Sequence, residues 1–266
     1  GVTGGHCDNN LLPYEFHTVS EGVADGPWAV REIVRRNIKY GATVIKFCGT
    51  GGVLSKGTKV GVQQYTFEEM QALVDEAHMR GLTVATHAHG TSGIKTAIKA
   101  GVDSVEHVSL LDEVGIELAL EHGTYFSMDI YVTEYILSEG EKAGILEESL
   151  AKERIVGKRQ RENFQKAVKA GVKMVFGSDA GVYPHGDNGK QFARMVRFGM
   201  TPMQAIQAAT IHPATLLKQQ ETLGSISAGK KADIVGVKGN PLDDISLLEN
   251  VGLVVKDGHV VKSVAM

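Results

Sequence analysis

Five times along this chain an amphipathic run ends at a glycine and a short β-rich run follows: "NIKYGATVIKF", "HMRGLTVATHAH", "AIKAGVDSVEHVS", "ALEHGTYFSMDI" and "AVKAGVKMVFGSD". Gly41, Gly81, Gly101, Gly123 and Gly171 then sit where a helix ends on a left-handed residue, with Lys, Arg or His usually just before to suit the helix dipole. Two of these units are about 20 residues long, near the minimum for a strand plus crossover helix in a parallel sheet. The run "TFEEMQALVDEAHMR" shows the helical half clearly. Thr66 and Glu69 form a capping box, and Met70, Leu73, Val74 and Ala77 share one apolar face.

Alternating strands and helices over this length leave two architectures, a doubly wound sheet or a (β/α) barrel. The first calls for a phosphate-cradling glycine motif. "CGTGGVLSKG" has the glycines without the GxGxxG or GxxxxGK[ST] spacing. We therefore expect a (β/α)8 TIM-type barrel over residues 1–220, in which 129–163 is a charged helical insert that could cover the rim as a lid. Thr201 and Pro202 open a further helix, "TPMQAIQAATIHPATLL". From 221 to 266 the pattern changes to short strands, with a hairpin at Asp257-Gly258, and predicts a small β-sandwich-type unit.

Composition narrows the partners. A net charge of −3 leaves no basic field for nucleic acid, and no run approaches the roughly 20 apolar residues of a membrane span. A soluble protein acting on a small molecule is expected, with a cytoplasmic location favoured, an upstream leader left open and a homo-oligomer also open. Cys7 and Cys48 cannot build a disulfide framework or a four-cysteine zinc site, and both are expected to be reduced.

Counting from each junction glycine places chemistry in register. Lys46 lies five residues after Gly41, His87 and His107 each six after Gly81 and Gly101, and Asp179 eight after Gly171. In a parallel barrel the C-terminal strand ends share one mouth, where active sites sit. A lone strand histidine is commonly a hydrogen-bonded core residue; four such residues in register point instead to a divalent metal such as zinc, with an open position for water. Such an ion lowers the pKa of bound water and polarises a carbonyl, which is hydrolytic chemistry. Lys46 is the anomaly, because an ammonium carried into a core loses several kcal/mol of hydration unless it is compensated.

The motifs "VIKFCGTGGVLS", "THAHG", "SVEHVS", "FGSDAGVYPHGDN" and "GSISAGKKADIVGVKGNPL" resemble the amidohydrolase superfamily, in its imidazolonepropionase-like and prolidase-like (Xaa-Pro dipeptidase-like) branch. The resemblance implies that Lys46 is carboxylated by CO2 and bridges two divalent ions, that His87 and His107 bind one ion, and that Asp179 binds the other and shuttles the proton of the attacking water. A carbamate answers the Lys46 anomaly, since two cations offset its buried charge. His6 and His89 are expected to face the substrate and orient its carbonyl, His185 to meet a substrate carboxylate, and Tyr131 to touch substrate from the insert. Cys48 could line the mouth. His78, His122, His212 and His259 read as structural, and His17 is unplaced.

The family's first-strand His-x-His has no counterpart, because "HAH" at 87–89 belongs to a later strand. The expectation is a barrel lacking about three N-terminal strands. The substrate expected is a C-terminal dipeptide or an N-acyl amino acid, with a cyclic amide such as an imidazolone as the near alternative. A Schiff-base lysine enzyme or an inactive barrel fragment would be different classes of answer.

Overall fold

A computed structural model describes residues 1–8 and 22–264. Five helix-strand units follow one another: α1 (Pro27–Lys39) and β1 (Val44–Cys48), α2 (Phe67–Met79) and β2 (Thr83–Ala88), α3 (Thr91–Ala100) and β3 (Ser104–His107), then α4 (Glu113–His122) and β4 (Tyr125–Ser127). Two helices, α5 (Ile130–Glu139) and α6 (Glu147–Ala170), precede β5 (Met174–Val175). All five strands pair in parallel in chain order, an arc of a TIM-type barrel. Each of the five junction glycines has positive φ, from 68° to 95°, which is why the same residue type recurs there.

Alternation along the strands sorts side chains between two faces. On β1, Ile45 and Phe47 are buried toward the helices, and Phe47 meets Tyr65 edge-on at 5.5 Å. Met70, Leu73, Val74 and Ala77 of α2 pack into the same core, and the Thr66–Glu69 capping box forms as the sequence predicts. Lys46 points to the other face and is exposed, which corrects the expectation of an ammonium carried into the core. The lysine faces the open side of the arc, so water can hydrate it.

After β5 come α7 (Lys190–Arg197), α8 (Pro202–Ala208) and α9 (Ile211–Leu216). The run expected as one helix from Thr201 is thus divided at Ala209 and Thr210, shortly before Pro213, whose missing N–H favours a helix start. The C-terminal strands β6 (Ile234–Gly236), β7 (Leu253–Lys256) and β8 (His259–Ser263) form one antiparallel three-stranded sheet. Among the described residues there is no second sheet facing it. The hairpin turns where expected, with Asp257 and Gly258 at φ 47° and 81°.

Within the 129–163 segment, α5 and α6 pack on each other through Ile136 and Leu150 and through a Thr133–Gln160 hydrogen bond of 3.1 Å. The start of α6 is fastened to the loop after β1. Lys152 Nζ donates to Ser55 O at 2.6 Å and pairs with Glu148 at 2.8 Å, while Gly57 N–H donates to Glu148 Oε1 at 3.2 Å. These bonds hold α6 beside the C-terminal ends of the strands.

Candidate metal centre

The strand register brings the polar ends together. Cys48 pairs with His87 across β1–β2, and Ala88 with His107 across β2–β3. A cavity of about 500 Å³ at this end is lined by His6, Lys46, His87, His89, His107 and Asp179, all singled out in the sequence. The imidazoles touch. His6 stacks on His87 at 4.2 Å between centroids, His107 meets His87 edge-on at 4.5 Å and stacks on His89 at 4.7 Å. Ligand atoms of His87, His89 and His107 lie within 4.8 Å of one another, as do those of His107, Asp129 and Asp179.

Asp129 and the fixing shell were missed. Asp129 is buried at the end of the segment after β4 and accepts from His107 Nδ1 at 2.9 Å and from Gln160 Nε2 at 2.9 Å. It lies six residues after Gly123, the same count that located His87 and His107, so the signal was present. Gln160 also donates to His107 O at 3.1 Å, and His89 Nδ1 is hydrogen-bonded to Ser109 Oγ at 2.8 Å. Fixing Nδ1 of a histidine in this way orients its Nε2 for a ligand, the usual support of a metal-binding imidazole.

Burial sets the charge states. It pushes His87 and His89 well below the usual imidazole range, with the neighbouring rings, His107 first, acting in the same direction. His6 falls to about 4 through burial, then through His107, Lys152 and Lys46. His107 is the exception: burial works downward, but Asp129 outweighs it and holds the ring up to about 9. Asp129 is correspondingly lowered by His107 against the opposing effect of its own burial. Asp179 is raised by burial and by Asp129. Neutral His87 and His89 are in the state that ligates metal, and His87 Nε2 is buried with no hydrogen-bond partner among the described residues. This orphaned nitrogen, among converging imidazoles and a carboxylate, fits a divalent cation.

Two of these residues are held in costly backbone. His107 and Asp179 have φ of 69° and 51°, and Val108 after His107 has 53°. Left-handed backbone at non-glycine residues costs on the order of 1–3 kcal/mol each and clusters at functional sites.

His185 is exposed and Tyr131, against Tyr183 at 4.9 Å, lines a neighbouring cleft; neither is among the residues lining the cavity. Both expectations rested on proximity in sequence to Asp179 and to the insert, and chain direction carried the side chains elsewhere. His78 pairs with Asp103 at 2.8 Å and His212 Nδ1 bonds Met174 O at 2.8 Å, as structural residues do. His17 lies outside the described residues. The cysteines also need correction: Cys7 and Cys48 are joined as a disulfide, their Cα atoms 6.1 Å apart, because the loop carrying His6 crosses the end of β1. That crossing has no trace in local sequence.

Gly52 makes room for His6. A methyl group at Gly52 would overlap the imidazole, so Gly52→Ala is expected to leave metal content unchanged and lower kcat/KM by roughly tenfold by displacing His6. Elemental analysis with steady-state kinetics checks this; loss of metal would instead make His6 a ligand.

Comparison with known proteins agrees with this geometry. Residues 10–261 match the amidohydrolase family. The chain is 38% identical to the ochratoxinase of Aspergillus niger over 230 residues, 85% of this chain and 47% of that one. It superposes on the crystal structure of a Xaa-Pro dipeptidase with methionine bound in its active site at a TM-score of 0.94, with 44% identity, covering 98% of this chain and 66% of that one. A prolidase complexed with N-methylphosphonate-L-proline superposes with a TM-score of 0.91 and 32% identity, covering 99% of this chain and 67% of that one. The chain thus spans about half of the ochratoxinase and two thirds of the dipeptidase. With the family match running through nearly all of its length, the chain belongs to the amidohydrolase family, whose members are metal-dependent.

Proposed function

We propose that this chain carries a two-metal site that hydrolyses the amide bond of a small substrate, a dipeptide or an N-acyl amino acid. The carrying observation is the unpartnered Nε2 of His87 among the rings of His89 and His107, with Asp179 at the same cavity. The Xaa-Pro dipeptidase and prolidase similarities support a substrate ending in a free amino acid.

His87 and His107 would hold one divalent ion and Asp179 the other; His107 would give up its Nε2 proton when the cation binds, while Nδ1 still donates to Asp129, and zinc suits the nitrogen and oxygen donors. When bound, such ions polarise the scissile carbonyl and bring the pKa of water toward about 7. Lys46 has no hydrogen-bond or ion-pair partner among the described residues. As the neutral amine it could take up CO2, forming an N–C bond and releasing a proton, and the carbamate, one negative charge shared over two oxygens, would make Lys46 an anionic ligand for the metal centre. Asp179, raised by burial, would accept the proton of the attacking water and pass it to the leaving amine. His89 and His6, neutral rings on the cavity wall, orient the carbonyl.

Elemental analysis of the purified protein, with assays on dipeptides, N-acyl amino acids and an imidazolone before and after chelation, tests the reading. Bound divalent metal and chelator-sensitive amide hydrolysis are expected. Borohydride trapping of a carbonyl substrate on Lys46, with no metal bound, would favour Schiff-base chemistry instead.

A further inference from the structure

One wall of the cavity comes from α5 and α6 and has an unusual composition. Val132 and Ile136 supply aliphatic surface, and Glu153, 4% exposed, lines the same cavity. Its Oε1 is buried with no hydrogen-bond partner among the described residues. Thr133 lies beside the carboxyl, but its hydroxyl donates to Gln160. The adjacent Lys152 is engaged with Ser55 and Glu148, and Arg161 further along α6 forms no ion pair with Glu153 but lies over the Phe198 ring at 5.5 Å. Glu153 also belongs to neither group of convergent metal-ligand atoms. Burial, then the charge of Asp129, raise its carboxyl to about 7 against the opposing pull of Thr133, His107 and Arg161, so the protein itself compensates this acid only in part.

An acid buried this deeply is costly unless a partner arrives. From its place on the cavity wall, we propose that Glu153 is a specificity-determining residue that receives a cationic group of the substrate, an ammonium or guanidinium whose aliphatic stem lies on Val132 and Ile136. The inference rests on the amide-hydrolase reading of the same cavity. Two parts of a substrate could present that cation: the side chain of the leaving residue, or the α-ammonium of the acyl residue.

Four substrates separate them: N-acetyl-lysine, N-acetyl-norleucine, Ala-Lys and Ala-norleucine, assayed with the metal-loaded protein and its Glu153→Gln variant. The variant is expected to lose roughly tenfold or more in kcat/KM on the substrates carrying the cation and to stay within about twofold on N-acetyl-norleucine, which has none. Loss confined to both lysine compounds assigns the side chain; loss confined to both alanyl dipeptides assigns the α-ammonium. An equal loss on all four, or none on any, overturns the proposal. Should the wild type cleave none of them, the hydrolase reading fails separately, and calorimetric titration of the same compounds decides the cation site: a Kd weakened about tenfold only for cationic ones supports it, and equal Kd values overturn it. The melting temperature gives a readout that a structural role would move the other way. Glu153→Gln is expected to keep or raise it, and a fall together with uniform loss of activity would make Glu153 a packing residue.

Discussion

Lys46→Ala is expected to strip the site of at least one of two metal ions and to lower turnover by roughly 10³-fold or more, while leaving the melting temperature of the metal-free protein almost unchanged. The size follows from the role proposed for the side chain. In that role a carbamate on Lys46 would supply an anionic ligand that alanine cannot, and metal-ion catalysis supplies several kcal/mol of transition-state stabilisation, at about 1.36 kcal/mol per tenfold in rate. The insensitivity of the fold follows from the structure. Lys46 is exposed on the open face of β1, while Ile45 and Phe47 on either side carry the packing. Exposed substitutions away from such packing stay within about 0.5 kcal/mol. A short carboxylic acid supplied in solution should restore part of the metal content and rate. Metal analysis and kcat, with and without propionate, give the answer; two retained ions and near-normal turnover would remove Lys46 from the centre.

Asp179→Asn is expected to lower kcat by about 10²- to 10⁴-fold, the usual worth of a positioned proton shuttle. The variant is a clean one in backbone terms. Asp179 sits at φ 51°, a region that asparagine tolerates nearly as well as aspartate, so the loop after β5 should keep its course. What changes is proton affinity, since the amide cannot take the proton that a carboxylate raised by burial and by Asp129 can hold. A drop of less than about fivefold would place the proton acceptor elsewhere, and Asp129, hydrogen-bonded to His107 in the same cluster, would be the next to examine.

Most of the site could be found by counting. A helix that ends on a left-handed glycine restarts the chain as a strand at a nearly constant distance, so residues five, six or eight beyond the glycine reach the same rim whatever their neighbours are. Lys46, His87, His107 and Asp179 were located this way, and the same count would have located Asp129. His6 followed from the family resemblance and His89 from its two-residue spacing after His87, and both line the cavity with them. The count fails where a side chain's position depends on a second element. Tyr131 faces Tyr183 instead of the cavity because of how α5 is rotated against the loop after β5, and His185 lies in a turn that leads it into solvent. The C-terminal β unit shows another limit. Alternation along a strand predicts a sheet face, but not whether a second sheet exists to cover it.

Local sequence by itself determined the alternation of helix and strand, the parallel order and the residues presented at the strand ends, since glycine φ, capping and the two-residue pleat period act within a few residues of chain. The tertiary structure alone decided what surrounds those ends. Cys7 meets Cys48 across 41 residues, Gln160 reaches from α6 to both His107 and Asp129, and Lys152 fastens α6 to Ser55 across 97 residues. Glu153 becomes a buried acid on the cavity wall through the same fastening, which holds its helix at the rim. Contacts of this kind depend on the path of long loops and the rotation of packed helices, where many arrangements satisfy the same hydrophobic pattern and only the assembled core selects one.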